Sequence, residues 1–138
     1  MLFPKKVKFR KTQRGRINPK RKQLASRGAT LSYGSFGLKA EEPKWIKSNQ
    51  IEAARKAMAK FFQKSGKIWI RIFPDKAITQ KPPEVGMGKG KGDLTGYVAM
   101  VKSGTIIFEV DGIEEVNAKE ALRKAGTKLP LKTRIISR

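Results

Sequence analysis

Residues 66–76 read GKIWIRIFPDK, and the alternation in this stretch decides the fold prediction. Isoleucine occupies every second position, and Trp69, Arg71 and Phe73 alternate with it before Pro74 ends the run. Because successive side chains of a β-strand point to opposite faces, the pattern predicts a strand whose isoleucine face meets the core. Large aromatic side chains on strands are usually packed, so a second layer is expected over the other face.

An amphipathic helix is predicted immediately before this strand. Asn49 is the expected N-cap, Glu52 completes a capping box, and Gly66 marks the stop. Apolar side chains recur at spacings of three and four and form one stripe directed at the core: Ile51, Ala54, Met58, Phe61 and Phe62.

Further strands are predicted on both sides of this unit. Segments 97–102 and 105–110 flank the Ser-Gly pair at 103–104, which is typical of two antiparallel strands joined by a tight turn. Segments 30–38 and 131–136 are the other candidate strands. The chain is therefore expected to form an antiparallel sheet.

A second helix completes the predicted fold. Asn117 with Glu120 opens it, and Gly126 closes it. Its apolar side consists of Ala118, Ala121, Leu122 and Ala125. Strands in hairpin order with two separated helices predict the α+β class, an antiparallel sheet with two helices packed on it, in one globular domain over 29–138.

Charge indicates the class of ligand. Lys and Arg number 32 against 11 Asp and Glu, a net charge of +21 in 138 residues. Such an excess repels itself unless counter-charge is supplied, and nucleic-acid phosphate is the densest soluble polyanion. The chain has no Cys and no His, which excludes thiol nucleophiles, imidazole bases, disulfides and the usual zinc ligands. No apolar run approaches about 18 residues, so no membrane partner is expected.

Residues 1–28 are predicted to be a basic, extended arm that binds RNA. The first carboxylate is Glu41, and Pro and Gly interrupt the basic residues. Phe3 and Phe9 favour docking, because aromatic rings stack on unpaired bases. The alternative is a solvated tail. The candidate contacts are Lys5, Lys6, Lys8, Arg10, Lys11, Arg14, Arg16, Lys20, Arg21, Lys22 and Arg27.

A second set of cations lies on the first predicted helix, largely off its apolar stripe. It comprises Arg55, Lys56, Lys60 and Lys64. This basic face is a possible RNA contact, with ordinary solvated side chains as the alternative. RNA is likewise the alternative cover for the Trp69 face of the strand.

A Gly-rich and Lys-rich loop is predicted at 81–93. Glycine at every second position leaves the backbone accessible, and the lysines supply point charges for phosphate. The proposed contacts are Lys81, Gly86, Met87, Gly88, Lys89, Gly90, Lys91 and Gly92. The loop matches neither the phosphate-loop pattern nor the dinucleotide pattern, so nucleotide binding is not expected. A hairpin tip without function is the alternative.

Four carboxylates cluster at Glu109, Asp111, Glu114 and Glu115 and raise the question of a metal site. Glu114 and Glu115 are better explained by the start of the second helix, where negative charge offsets the macrodipole. Asp111 with the glycine after it predicts a turn. We therefore expect no metal, no cofactor and no catalytic residue.

Six segments resemble the large-subunit ribosomal protein L-sixteen family in its bacterial and organellar form. They are MLFPKKVKFRK, GSFGLKA, QIEAARKAM, GKIWIRIFPDK, MGKGKG and KLPLKT, and together they span almost the whole chain. Many family members place an arginine where this chain has Gly86. The family's basic N-terminal region corresponds to 5–27 and its extended loop to 81–93.

The resemblance implies a structural component of the large ribosomal subunit that binds 23S-type rRNA. It also implies neighbouring large-subunit proteins and A-site tRNA as partners, with P-site tRNA as a further candidate, and no homo-oligomer. The expected location is the bacterial cytoplasm, with an organelle-encoded plastid or mitochondrial ribosome as the alternative. Two rival functions remain at this point: a DNA-binding architectural protein and a metal-dependent tRNA-processing enzyme.

Overall fold

Seven strands and two helices follow the N-terminal arm. The computed structural model describes all residues of the chain. The elements in chain order are β1 (Phe36–Ala40), β2 (Lys44–Lys47), α1 (Ser48–Ala59), β3 (Lys67–Ile70), β4 (Lys76–Gln80), β5 (Asp93–Val101), β6 (Ile106–Asp111), α2 (Glu115–Thr127) and β7 (Thr133–Ser137).

The strands form two antiparallel sheets. One has four strands in the order β3-β6-β1-β7, and the other has three in the order β2-β5-β4. The two helices pack against each other and against strands of both sheets. The α+β prediction is therefore confirmed, but the strands are divided between two sheets instead of one.

The hairpin predicted around Ser103 and Gly104 is wrong. β5 pairs with β2 and β4, whereas β6 pairs with β1 and β3, so both strands have their two edges occupied by other partners. Gly104 has φ +92° and donates its N–H to Ala40 O at 2.7 Å, while Ala40 N–H donates to Thr105 O at 2.8 Å. The Ser-Gly pair does make a turn, but the turn passes the chain from one sheet to the other. Local sequence predicts a turn, while partner choice depends on distant strands.

Both partners of β5 are absent from the sequence prediction. β2 has four residues, KWIK, and β4 has five, KAITQ. Alternation over so few positions is a weak signal, and lysine is depleted in strands. These two strands matter for function, because they place the arm and the Gly-rich loop.

Helix α1 begins two residues earlier than predicted, because its N-cap is Lys47 and not Asn49, and it ends sooner. Its N-cap is Lys47, whose backbone N–H donates to Gln50 Oε1 at 2.9 Å, so Asn49 lies inside the first turn. After Ala59 the chain tightens: the Phe62 N–H donates to the Ala59 carbonyl, three residues back, at 3.2 Å. Hydrogen bonds to the carbonyl three residues earlier are of the 3₁₀ type, which is common at the C-terminal end of α-helices.

The predicted end of α2 is also wrong, because Gly126 lies inside the helix. A Cβ at this position would stand 2.7 Å from Thr133 Oγ1. The glycine therefore allows β7 to approach α2 closely instead of stopping the helix. The start is closer to the prediction, since Glu114 is the N-cap and Glu115 opens the first turn, although Asn117 lies within the helix.

The core lies between the helices and the sheets, as the apolar stripes predicted. Ile51, Ala54 and Met58 are fully buried, and so is the whole predicted apolar side of α2. The isoleucine face of β3 is partly buried and packs against this core. Burying one large aliphatic side chain stabilises a fold by about 1.5–3 kcal/mol, so the buried stripes contribute to stability together with the buried strand residues.

The other face of the four-stranded sheet is covered by an irregular segment in place of a second regular layer. Residues 31–35, predicted as strand, cross this face before β1 begins at Phe36. Leu31 reaches Gly37, where a Cβ would stand 2.3 Å from its Cδ2. A side chain at Gly37 would therefore force the Leu31 side chain to move.

Glu109 of β6 fastens this segment to the sheet. It is fully buried and accepts hydrogen bonds from the backbone N–H groups of Ser32, Tyr33 and Gly34 at 2.8, 3.1 and 3.3 Å. Arg71 Nη1 donates to Glu109 Oε2 at 2.6 Å. Burial alone raises the pKa of Glu109, but Arg71 and the three backbone donors outweigh it and hold the pKa below the ordinary 4.5.

Candidate nucleic-acid interface

The structure brings the predicted arm and the predicted loop together and leaves the basic helix face apart from them. Both the arm and the loop lie beside the three-stranded sheet. The helix face belongs to the two packed helices instead. The candidate residues therefore form two separate basic surfaces.

The arm has no helix and no regular strand, and it is attached to the folded domain at separated points. Thr12 Oγ1 donates to Ala77 O at 3.2 Å, and Lys76 Nζ donates to Gln13 O at 2.8 Å. Near its end, the Ala25 N–H donates to Ser103 O at 2.9 Å. Of the eleven basic residues of the arm that were predicted to contact RNA, ten are exposed, and Lys11 is half-buried. The arm therefore presents cations to solvent while its backbone follows β4 and β5.

The Gly-rich loop is the hairpin connection between β4 and β5. Lys91 Nζ donates to the Thr12 carbonyl of the arm, which joins the two predicted elements directly. Met87 is fully exposed, and Lys89 is exposed with φ 59°. Lys81 Nζ donates to the Gly88 carbonyl within the loop. We name the arm and this loop together the arm–loop surface.

The glycines of the loop differ in their structural role. Gly88 and Gly90 have φ +95° and +104°, which side chains rarely adopt. At Gly92 a Cβ would lie 2.7 Å from the Gln80 carbonyl carbon, so a side chain there would clash with β4. At Gly86 no atom lies within 4 Å, so a larger residue could be accommodated.

A depression of about 470 Å³ lies between the arm and β2 and contains residues that the sequence interpretation missed. Trp45 lines it, with Arg14 Cζ at 5.5 Å and Lys76 Nζ at 5.6 Å from the ring centroid. Lys44 and Lys102 add two further cations to its wall. Trp45 and its surrounding cations could have been found from the sequence only if β2 and its pairing with β5 had been predicted.

The basic helix face is extended by α2. Lys56, Lys60 and Lys64 are exposed, whereas Arg55 pairs with Glu52 in the same helix, Nε to Oε2 at 3.2 Å. The hydrogen bond with Arg55 holds the pKa of Glu52 below its ordinary value. The groove between the helices adds cations not singled out in the sequence: Arg123, Lys124 and Lys128. We name these residues the helix surface.

The family model described as Ribosomal protein L16p/L10e matches residues 4–136. The chain belongs to this family. It is therefore a structural protein of the large ribosomal subunit and not an enzyme, and the resemblance drawn from the six segments is confirmed. Members of this family bind rRNA and other ribosomal proteins, so the two rival functions are set aside.

Three of the four clustered carboxylates of this L16p/L10e family protein have structural partners. Glu109 is paired with Arg71, and Glu115 with Lys119 Nζ at 2.6 Å. Asp111 Oδ1 accepts from Ser35 Oγ at 2.9 Å and from the Gly112 N–H at 2.8 Å, which forms the predicted turn. The latter bond is the main reason that the pKa of Asp111 lies below its ordinary value. No group of three such side chains in the L16p/L10e fold could hold a metal ion.

None of the helices in the structure is both long and apolar enough to cross a membrane.

Proposed function

We propose that the arm–loop surface is the principal rRNA-binding surface of this ribosomal protein. The observation that carries the proposal is the contact between Lys91 and the Thr12 carbonyl, which makes two basic elements one continuous surface. Eleven cations of the arm, three lysines of the loop and Lys44, Lys76 and Lys102 contribute to it. Phosphate contacts fix the position and orientation of a protein on nucleic acid.

The composition of this surface favours the backbone of folded RNA as its ligand. Lysines of the loop are separated by glycines, so neighbouring side chains do not block access to the backbone N–H groups. Exposed Phe3 and Phe9 add rings that can stack on unpaired bases. A folded 23S-type rRNA offers both phosphate and unpaired bases, whereas duplex DNA hides its bases in the helix.

The second part of the proposal concerns tRNA. A projecting loop with exposed Lys89 and Met87 suits contact with A-site tRNA, and P-site tRNA is the further candidate. The chain has no His and no Cys that could serve as a catalytic base or nucleophile. An effect on peptide transfer would therefore come from positioning RNA, which accelerates reactions by orientation alone.

The helix surface is proposed as a second rRNA contact, or as the contact with a neighbouring large-subunit protein. Its lysines are exposed and its arginines are partly neutralised by carboxylates of the same helices. Assembly into the subunit in the bacterial cytoplasm or an organelle, as a single copy and not a homo-oligomer, completes the proposal.

Reconstitution of large subunits tests the proposal. Particles would be assembled with the wild-type protein, with the Lys89→Gln and Lys91→Gln double variant, and with Lys119→Gln as a control on an exposed ion pair. The double variant should assemble late or bind A-site tRNA more weakly, while the control should match the wild type. Normal assembly and normal tRNA binding by the double variant would refute a functional role for the loop.

A further inference from the structure

Two stacked aromatic rings lie on the face of the four-stranded sheet that the helices do not cover. Tyr33 and Trp69 have ring centroids 6.0 Å apart and planes inclined by 19°. The Arg71 guanidinium carbon lies 5.1 Å from the Tyr33 centroid. Trp69 lies in β3, and Arg71 directly follows the strand two residues later, so both reach Tyr33 from the same side of the sheet. Tyr33 is nevertheless 58% exposed, so much of its side chain remains open to solvent.

The backbone that carries Tyr33 is fixed in place. Its N–H donates to buried Glu109, and the neighbouring N–H groups of Ser32 and Gly34 do the same. Gly34 lies so close to β6 that a Cβ would stand 2.5 Å from Val110 O. An exposed ring held by a rigid backbone loses little conformational freedom when a ligand stacks on it.

We propose that Tyr33 and Trp69 form a stacking platform for one unpaired nucleobase of the rRNA. The platform is separate from the arm–loop surface, and the inference rests on the proposed rRNA-binding function. Aromatic side chains hold single-stranded bases in many RNA-binding proteins, and any base can stack because each has a π-face. The platform opens on a depression of about 470 Å³, large enough for a base.

The charges around the platform fit a base over the rings and phosphates beside it. Lys67 lines the depression. Arg138 Nη2 donates to the carbonyls of Leu31 and Ser32, at 3.4 and 3.3 Å, in the segment that carries Tyr33. Asp111 lines the same depression. Its carboxylate, already engaged by Ser35 and Gly112, repels phosphate, so the uncharged base is the part of the nucleotide expected on the rings.

Tryptophan fluorescence tests the platform directly. The chain has two tryptophans, so all variants would carry Trp45→Phe to leave Trp69 as the reporter. A short single-stranded oligouridylate or oligoadenylate should quench Trp69, because a base stacks beside the indole. A blunt RNA duplex, whose bases are already stacked, should bind through its phosphates without this quenching.

Matched substitutions separate stacking from charge. Tyr33→Leu should weaken single-strand binding by about tenfold. The slope of log affinity against log salt should stay the same, because the protein still neutralises the same number of phosphates. Tyr33→Phe should bind like its parent. Thermal melting would establish that each variant is folded.

The outcomes distinguish the platform from the proposed function. Equal quenching by single strand and duplex, or full single-strand affinity in folded Tyr33→Leu, would overturn the platform while leaving the rRNA-binding proposal intact. If the wild-type protein, with Trp45 intact, failed to bind large-subunit rRNA, the proposed function would be refuted.

Discussion

Glu109 shows how a single residue connects folding to the presentation of a surface. Its position in β6 gives it three backbone N–H donors from the covering segment and the guanidinium of Arg71, which directly follows β3. Without these partners a buried carboxylate would cost several kcal/mol. The sequence placed Glu109 in an acidic cluster, but its partners come from distant parts of the chain. Its role could not be predicted until the sheet was known.

The lowered pKa of Glu109 gives a pH prediction with a definite sign. The pKa of Glu109 is lower in the folded protein than in the unfolded chain, where it is near 4.5. The ionised carboxylate therefore stabilises the fold at any pH above about 4.5. This stabilisation is lost as the pH falls through the pKa of the folded protein. Glu109→Gln should therefore lower the stability at neutral pH by about 3 kcal/mol. It should also lose less stability than the wild type on acidification below about pH 5.

Denaturant unfolding of both proteins across this pH range would measure the effect. Glu120→Gln is the control, because Glu120 pairs with Arg123 at the surface. It should change neither the neutral stability nor the acid response appreciably. Parallel stability curves for the wild type and Glu109→Gln would contradict the assigned role of the buried pair.

Lys89 and Lys91 lie two residues apart but are expected to act differently. Lys91 attaches the loop to the arm through the Thr12 carbonyl, whereas Lys89 projects from the loop. Lys91→Ala should therefore speed tryptic cleavage near Arg10 and Arg14, and Lys89→Ala should not. Both should leave the melting temperature nearly unaltered, because neither side chain is buried in the core. Equal cleavage rates in the two variants would show that Lys91 does not hold the arm.

At the scale of elements, the sequence predicted best those segments whose pattern is long and local. The stripes of α1 and α2 and the alternation of β3 were correct, because each repeats over several turns or residues. The short strands β2 and β4 have no such repeat, and their pairing with β5 is non-local. The depression around Trp45 depends on those strands, so that part of the candidate site was unpredictable for the same reason.

Helix α1 allows its two faces to be separated experimentally. Met58 is fully buried and Lys56, two residues earlier, is exposed. Met58→Ala should destabilise the fold by about 2–5 kcal/mol, because it removes buried apolar packing and leaves a residual cavity. Lys56→Ala should leave stability nearly unchanged, and it should reduce the salt dependence of rRNA binding if the helix surface touches phosphate. Thermal melts and salt titrations of both variants would check this, and a large loss of stability in Lys56→Ala would mean that the face was misassigned.

At the scale of the whole molecule, charge acts on folding and on binding in opposite directions. A net charge of +21 repels itself in the compact protein, and rRNA removes that repulsion by supplying phosphate. The sequence alone was sufficient for this conclusion, because net charge does not depend on which strands pair. The structure adds that the charge is divided between the arm–loop surface and the helix surface, with the proposed stacking platform separate from the arm–loop surface.

The last prediction follows from this opposition. Changing Lys5, Lys6 and Lys8 to Gln should raise the melting temperature of the free protein at low salt, because exposed like charges are removed without loss of a packed side chain. The same variant should bind large-subunit rRNA more weakly, with a salt slope reduced by about 0.7–0.9 for each phosphate that the protein no longer neutralises. At high salt the melting temperatures of variant and wild type should converge, because salt screens the repulsion between the lysines that the substitutions remove. If the variant gained stability but kept the full salt slope, this end of the arm would not be part of the rRNA interface. If the variant lost stability at low salt, these lysines would have stabilising partners in the folded chain.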